Sequence, residues 1–230
     1  MAATAVITGG TGGLGRAVTA RFLDAGWRVV VPWIVPGERD AIPAQNGLEL
    51  VEADLFDAAG VGAVVDLAAA DPDRPLRAVV NLVGGFAAGG KVHETPVEEF
   101  EDQLRLNLRA TYLVSQAALP HLVAAGGGAI TAVSSRAALR PFAGAAGYVT
   151  SKLAVLGLVD SLAAEYRDEG VRVNAVLPSV IDTPGNRAGQ PDADHSRWVS
   201  PDQIAGVVLF LSGEDATAVS GAHIPVYGRA

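Results

Sequence analysis

Short apolar runs separated by longer segments of helical period constrain this chain more than any other feature. Strands that must be buried on both faces, with helices between them, pack as a parallel sheet covered on each side. Ala5-Val6-Ile7 is the first such run, and residues 14–25 then set Leu14, Val18, Phe22 and Leu23 on one helical face that Gly26 closes. Arg28 to Val31, Leu48 to Val51 and Ala78 to Val83 read as the second to fourth strands, with a helix near 58–70 before the fourth. A long helical stretch follows over 97–124. Thr95 is its expected cap, Pro96 falls in its first turn, Glu98 and Glu99 face the positive end of its dipole, and Pro120 should kink or divide it. A strand at Ala129 to Val133, a helix over 147–169, a strand at Arg172 to Val176, a helix over 201–212 and a strand at His223 to Val226 complete the pattern. The expected class is α/β, a doubly wound and mostly parallel sheet of about seven strands flanked by helices.

A chain of 230 residues is the size of one such domain, so a single domain over 1–230 is expected. Half of its residues are hydrophobic and 18% are charged, which suits a large core and argues against disorder. No run approaches the ~18 to 20 apolar residues of a membrane span. Met1-Ala2-Ala3-Thr4 also lacks the basic and apolar regions of a secretory signal, so a cytoplasmic protein without a membrane partner is expected. The absence of cysteine excludes disulfides, thiolate nucleophiles and Cys-ligated zinc, and the four histidines show no ligand spacing. A net charge of −8 with 17 scattered Lys and Arg disfavours nucleic acid as a partner.

The chemistry concentrates in a few places. Thr8-Gly9-Gly10-Thr11-Gly12-Gly13-Leu14-Gly15 lies between the first strand and first helix, where a dinucleotide pyrophosphate meets backbone N–H groups and the helix dipole. A Cβ at its glycines would hold the backbone away from phosphate, although a purely structural turn uses glycine for similar reasons. Tyr148 and Lys152 are four residues apart on a helix and share a face. An ammonium beside a tyrosine favours its phenolate and moves a poor base toward the working range. Ser134 and Ser135 end the fifth strand, where a hydroxyl can hold a substrate carbonyl oxygen. Asn107 interrupts a helix in which asparagine has poor propensity.

Taken in order, the glycine loop, Asp54, Asn81-Leu82-Val83-Gly84, Asn107, Ser134-Ser135, Tyr148-x-x-x-Lys152, Pro178 and Thr183-Pro184 resemble the short-chain dehydrogenase/reductase superfamily over nearly the whole chain. The resemblance implies a Rossmann fold, an NAD(P)(H) cofactor and a small-molecule substrate. It assigns catalysis to Asn107, Ser135, Tyr148 and Lys152. Tyr148 is the general acid/base, Lys152 lowers its pKa and holds the nicotinamide ribose, Ser135 orients the substrate oxygen, and Asn107 holds a relay water. Ser135 is preferred to Ser134 by its thirteen-residue offset from Tyr148. Cofactor contacts are implied for Thr8, Gly9, Thr11, Gly13, Leu14 and Gly15 in the loop, and for Trp33 at the ribose-selecting position. Asp54 and Leu55 fall at the adenine, Asn81, Val83 and Gly84 at the ribose region, and Pro178, Ile181 and Thr183 at the nicotinamide. From the residues alone, Asp54 serves equally as the cap of the next helix and Asn81 as a tie between strands. A homodimer or homotetramer built on helices 97–124 and 147–169 is also implied.

Two departures matter. Trp33 and Ile34 stand where a carboxylate would bind the adenosine 2′-OH and where a basic residue often follows, so no charge there selects NAD or NADP. Arg39 is the candidate partner of a 2′-phosphate and tips the expectation slightly toward NADP(H), although it serves equally as a solvated loop charge and Gly12 occupies a position often basic in NADP users. Gly84-Gly85-Phe86-Ala87, Leu177-Pro178, the run Asp182-Thr183-Pro184-Gly185-Asn186-Arg187, Pro191, Ala193-Asp194 and Trp198 are similar to the dihydropteridine reductase branch. That similarity implies a substrate lid over about 184–200, but Ser135 and the lost acid at Trp33 depart from the branch. Phe86, Arg140, Phe142, Asn186 and Trp198 are the candidate substrate contacts, with His195 beside them. A carbonyl reductase or alcohol dehydrogenase is the first reading. The alternatives are a reductase of a quinonoid dihydropterin or other C=N heterocycle, and a cofactor-binding scaffold or regulator without turnover.

Overall fold

The expected strands form because each is a run of small or β-branched apolar residues that loses its water on both faces. In the computed structural model, which describes residues 3–40 and 42–229, they are β1 (Thr4–Thr8), β2 (Arg28–Trp33), β3 (Leu48–Glu52), β4 (Leu76–Asn81), β5 (Gly128–Val133), β6 (Val171–Pro178) and β7 (His223–Val226). Met1, Ala2, Ala41 and Ala230 lie outside the described residues. All the strands pair in parallel in the order β3-β2-β1-β4-β5-β6-β7.

The helices are α1 (Gly13–Asp24), α2 (Pro36–Asp40), α3 (Ala58–Ala69), α4 (Val97–Leu104), α5 (Ala110–Ala124), α6 (Arg136–Leu139), α7 (Ala146–Glu165), α8 (Pro184–Gly189) and α9 (Pro201–Ser212). On one face of the sheet α3, α5 and α7 bring Val64, Val114, Leu122, Val155 and Val159 against Val6, Val79 and Ile130. On the other, α1 and α9 bring Val18, Phe22, Ile204 and Val208 against Ala5, Ile7 and Val29. Each fully buried Val, Leu, Ile or Phe contributes about 1.5–3 kcal/mol by leaving water. No helix among the described residues is long and apolar enough to cross a membrane.

Strand order reverses between β1 and β4, which places a crevice at their carboxyl ends. Thr8 holds the crevice closed at its base: its hydroxyl accepts from the Leu82 N–H (3.1 Å) and donates to the Val80 carbonyl (3.4 Å). That bond also draws the chain out of the ladder, so β4 ends at Asn81 rather than at Val83.

The expected long helix is divided, but not at Pro120. The helix runs through Pro120 in α5, and the irregularity falls instead at Arg105–Arg109, a π-helical turn between α4 and α5 that contains Asn107. Its cause is side-chain bonding at Asn107, described below, which outweighs regular packing of the backbone. Thr95 does not cap α4. Its hydroxyl donates to the Gly90 and Lys91 carbonyls (3.3 and 3.0 Å), and Pro96 is the residue before the first turn. Helix α7 stops at Glu165, four residues short of the expected end.

Candidate active site

The glycine loop is shaped by close approach of backbone segments. Gly9 has φ +65°, a conformation that glycine adopts without strain, and a Cβ on it would press on the Val83 nitrogen at 3.3 Å. A Cβ on Gly15 would run into the Gly9 carbonyl oxygen, and one on Gly13 would lie 2.9 Å from Cγ2 of Thr183. Loop and β6–α8 segment are therefore packed together, which brings Thr183 to the N-terminus of α1. Gly12 offers that terminus no side-chain cap, and its first turn carries no acid. The terminus thus presents backbone N–H groups and a positive dipole to the crevice, a donor set that fits a dinucleotide pyrophosphate.

Along the crevice, Asn81 is buried with its amide nitrogen 3.2 Å from the Ser115 hydroxyl, while its carbonyl oxygen has no protein partner. It ties β4 to α5 rather than to another strand. A buried acceptor without a donor is costly in an apolar interior, so this atom favours a ligand donor nearby. Asp54 accepts from the Phe56 N–H (2.8 Å), and the cap of α3 is Asp57, whose carboxylate accepts from the Gly60 N–H (2.9 Å). The capping alternative for Asp54 is thereby removed. Leu55 is buried beside it in the α3-side core, and Pro178 is the buried last residue of β6, two strands from β4.

Sequence reading missed a carboxylate that stands beside the glycine loop. Glu38, on α2, accepts a hydrogen bond from the Thr11 hydroxyl at 2.7 Å, so a carboxylate faces the glycine loop from five residues beyond Trp33. Arg39 lies over the Trp33 ring, 5.9 Å from its centroid, and its guanidinium is 2.8 Å from Asp40. Glu38 escaped notice because only the folded chain shows that α2 turns back onto the loop.

The four expected catalytic residues converge. Lys152 is 6% exposed, and its ammonium donates to the Val133 carbonyl at 3.1 Å. A Cβ on Gly84 would lie 2.6 Å from Oδ1 of Asn107 and 2.9 Å from Nζ of Lys152, so this glycine is what lets the two groups meet. Asn107 is fixed on both sides: Oδ1 accepts from the Gly85 N–H (3.0 Å), and Nδ2 donates to the Ser151 hydroxyl (3.1 Å) and to Gln103 (3.4 Å). Ser151 and Gln103 are positioning partners that sequence reading did not identify, though the i,i+4 spacing of Gln103 and Asn107 was a usable signal.

Ser134 is occupied structurally, donating to the Lys152 carbonyl at 2.8 Å. Ser135 caps α6 by accepting from the Ala137 N–H (3.1 Å) and also stands against the Tyr148 phenol. Burial pushes the Tyr148 phenol above its ordinary range, and the Ser135 hydroxyl pulls part of the way back. Burial likewise lowers the Lys152 amine to about 8. The expectation that the lysine would lower the tyrosine is not met in the protein alone. Lys152 Nζ sits 6.0 Å from the ring centroid of Tyr148, beside the aromatic face, and desolvation dominates both groups.

Around Tyr148 the aromatic residues divide. Phe86 meets the Tyr148 ring edge-on, with centroids 5.0 Å apart, and Phe142 lies 6.3 Å from Phe86. Arg140 follows α6 two residues before Phe142 and is exposed. Within 184–200, the His195 and Trp198 rings pack in a tilted pair with centroids 4.3 Å apart, and the exposed Asn186 donates its amide to the Ile181 carbonyl at 2.8 Å. Ile181 bridges to Val199, closing the base of this segment. Asp182 and Arg187 form an ion pair across it (2.8 Å), which holds the Asp182 carboxyl below its usual range.

A family model described as short chain dehydrogenase matches residues 3–194. Over 246 residues the chain is 35% identical to 2-(R)-hydroxypropyl-CoM dehydrogenase of Xanthobacter autotrophicus, covering 99% of this chain and 98% of that protein. It is 31% identical over 238 residues to D-threitol dehydrogenase of Mycolicibacterium smegmatis, with 97% and 91% covered. A short-chain type dehydrogenase/reductase from Mycobacterium ulcerans has the same fold, with TM-score 0.90, 27% identity and coverage of 99% and 89%. The structure of ElxO with NADP bound gives TM-score 0.91 at 25% identity, covering 99% and 98%.

Proposed function

The chain belongs to the short-chain dehydrogenase/reductase superfamily and is an NAD(P)-dependent oxidoreductase; from that premise we propose that it is a carbonyl reductase or alcohol dehydrogenase with Tyr148 as general acid/base. The observation that carries this reading is the meeting of the Tyr148 phenol, the Ser135 hydroxyl and the buried Lys152 ammonium beside the glycine cradle.

When bound, the nicotinamide supplies or accepts the hydride. The loop Thr8, Gly9, Thr11, Gly13, Leu14 and Gly15 holds the pyrophosphate end, with Trp33, Asp54 and Leu55 along the adenosine. Asn81, Val83, Gly84, Pro178, Ile181 and Thr183 line the way to the nicotinamide. Ser135 orients the substrate oxygen and Tyr148 gives it a proton in reduction or removes one in oxidation. Lys152 holds positive charge beneath the phenol, and Asn107 carries a water toward solvent. NADP(H) is the preferred dinucleotide in this reading, supported by Arg39 at the ribose end and by the NADP bound to ElxO.

Phe86, Arg140, Phe142, Asn186 and Trp198 surround the substrate, and 184–200 is its lid. Half-exposed Tyr112 on α5 and Leu153 on α7 form the self-association surface of a cytoplasmic homo-oligomer. The relatives are named dehydrogenases, so neither the pterin nor the scaffold reading gains from them. The test is Tyr148→Phe. It is expected to keep dinucleotide binding, followed by quenching of protein fluorescence, and to lose turnover of ketones and aldehydes by at least about a hundredfold. Equal turnover by the variant would overturn the assignment.

A further inference from the structure

We infer that the site takes a neutral carbonyl compound with an apolar, preferably aryl, body, rather than a polyol or an anionic substrate; this rests on the reading of Tyr148 as the acid/base. Phe86 is 63% exposed and Phe142 50%, although burying such rings is strongly favourable. Neither is needed by the core, and both stand in one row with the Tyr148 ring. Beyond Tyr148 opens a cavity of about 380 Å³ between the β4–α4 segment, α4 and the start of α7. That volume exceeds what a three-carbon substrate fills, and it is within the range of small-ligand sites.

The cavity walls are backbone and apolar side chains, among them Ala87, Val92, Val97, Phe100 and Gly147. No Lys or Arg lines it, and its one ionisable group besides Tyr148 is Glu99, so an anionic substituent would meet no counter-charge and one like charge. The net charge of −8 acts in the same direction at long range. Side-chain groups suited to a row of hydroxyls are few: the Thr95 hydroxyl donates to the Gly90 and Lys91 carbonyls, and Gln103 accepts from Asn107 through Oε1, which leaves its amide NH2. The Phe86–Phe142 row and the cavity meet at the Tyr148 ring, so a carbonyl oxygen at Tyr148 leaves the apolar body to lie along the exposed rings and toward the cavity wall at Phe100.

The test compares aldehydes that share one reacting centre: 4-methylbenzaldehyde (neutral aryl), 4-formylbenzenesulfonate (anionic aryl), glyceraldehyde (polyhydroxylated) and acetaldehyde (no body). Wild-type kcat/KM is expected to be highest for 4-methylbenzaldehyde, by roughly tenfold or more over the other three, as burial of an aryl group against apolar walls allows. Phe86→Ala and Phe142→Ala should remove most of that lead, and Ala88→Leu, which narrows the cavity, should remove it while leaving acetaldehyde turnover within about threefold. Turnover of the sulfonate or of glyceraldehyde equal to or above that of the neutral aryl aldehyde would overturn the inference and leave the carbonyl reductase reading standing. An equal loss for all four aldehydes in both Phe variants would also overturn it, since the rings would then support Tyr148 rather than substrate. Absence of turnover of all four by wild type with dinucleotide bound would overturn inference and function together.

Discussion

Replacing Lys152 by Met should make the cofactor-free protein more stable at neutral pH while destroying its activity. The amine titrates near 8 instead of its ordinary 10.5 because it is buried, so below pH 8 the fold carries a charge that water would hold better. A shift of that size corresponds to about 3 kcal/mol. Methionine keeps the length and apolar stem but loses the hydrogen bond to the Val133 carbonyl, worth about 1 kcal/mol. A net gain of about 2 kcal/mol remains, or about 4–8 °C in Tm for a domain of this size.

The pH dependence identifies the cause. A depressed folded-state pKa means that the unfolded chain binds the extra proton between about 8 and 10.5, so wild-type stability rises across that window. The advantage of Lys152→Met should therefore be full at pH 7, shrink above pH 8, cross zero at about pH 9.8 and turn into a deficit approaching about 1 kcal/mol above about pH 10.5, where only the lost bond to Val133 is left. Reversible urea or thermal unfolding at pH 7, 9 and 10.5 measures it. A variant less stable than wild type at pH 7, or an advantage independent of pH, would refute the argument and show that the bond to Val133 outweighs desolvation.

Other outcomes follow from the same geometry. Gly84→Ala should force Asn107 and Lys152 apart and lower kcat by about a hundredfold or more with a smaller change in dinucleotide affinity, measurable by steady-state kinetics beside a binding titration. Glu38→Gln removes the carboxylate beside Thr11 and should raise the NADPH-to-NADH ratio of kcat/KM by about tenfold, whereas Arg39→Ala should lower it. Carbonyl reduction should decline as pH rises through about 8, because the lysine loses the positive charge that supports the phenolate while Tyr148 itself stays protonated. A kcat/KM profile flat to pH 10 would contradict that assignment.

The strands and the tetrad were readable from sequence because both are written in local spacing. Runs such as Ala78-Val79-Val80 admit only a doubly buried strand, and Tyr148 with Lys152 shares a helix face by period alone. What escaped was set by contacts distant in sequence. The end of β4 depends on Thr8, 74 residues away. The interruption near Asn107 depends on Gly85 and Ser151, whereas Pro120, the obvious local breaker, sits within a continuing helix. The pKa of Tyr148 was misjudged for a related reason: neighbours along a helix reveal which charges are close, but not how much water has been removed from them.

The π turn at Arg105–Arg109 gives one helical rod two phases. Accommodating about one extra residue, it rotates everything before it by roughly 100° relative to everything after. Val114, Ala118 and Leu122 downstream are phased to the sheet, while Phe100 and Gln103 upstream are phased to Gly147 at the head of α7. Removing a single residue from this turn would leave the side chains of α4 and α5 chemically unchanged, yet swing the cavity wall off its target. The substrate side of the molecule can thus drift in sequence and shape while the half of the rod embedded in the core keeps its grip.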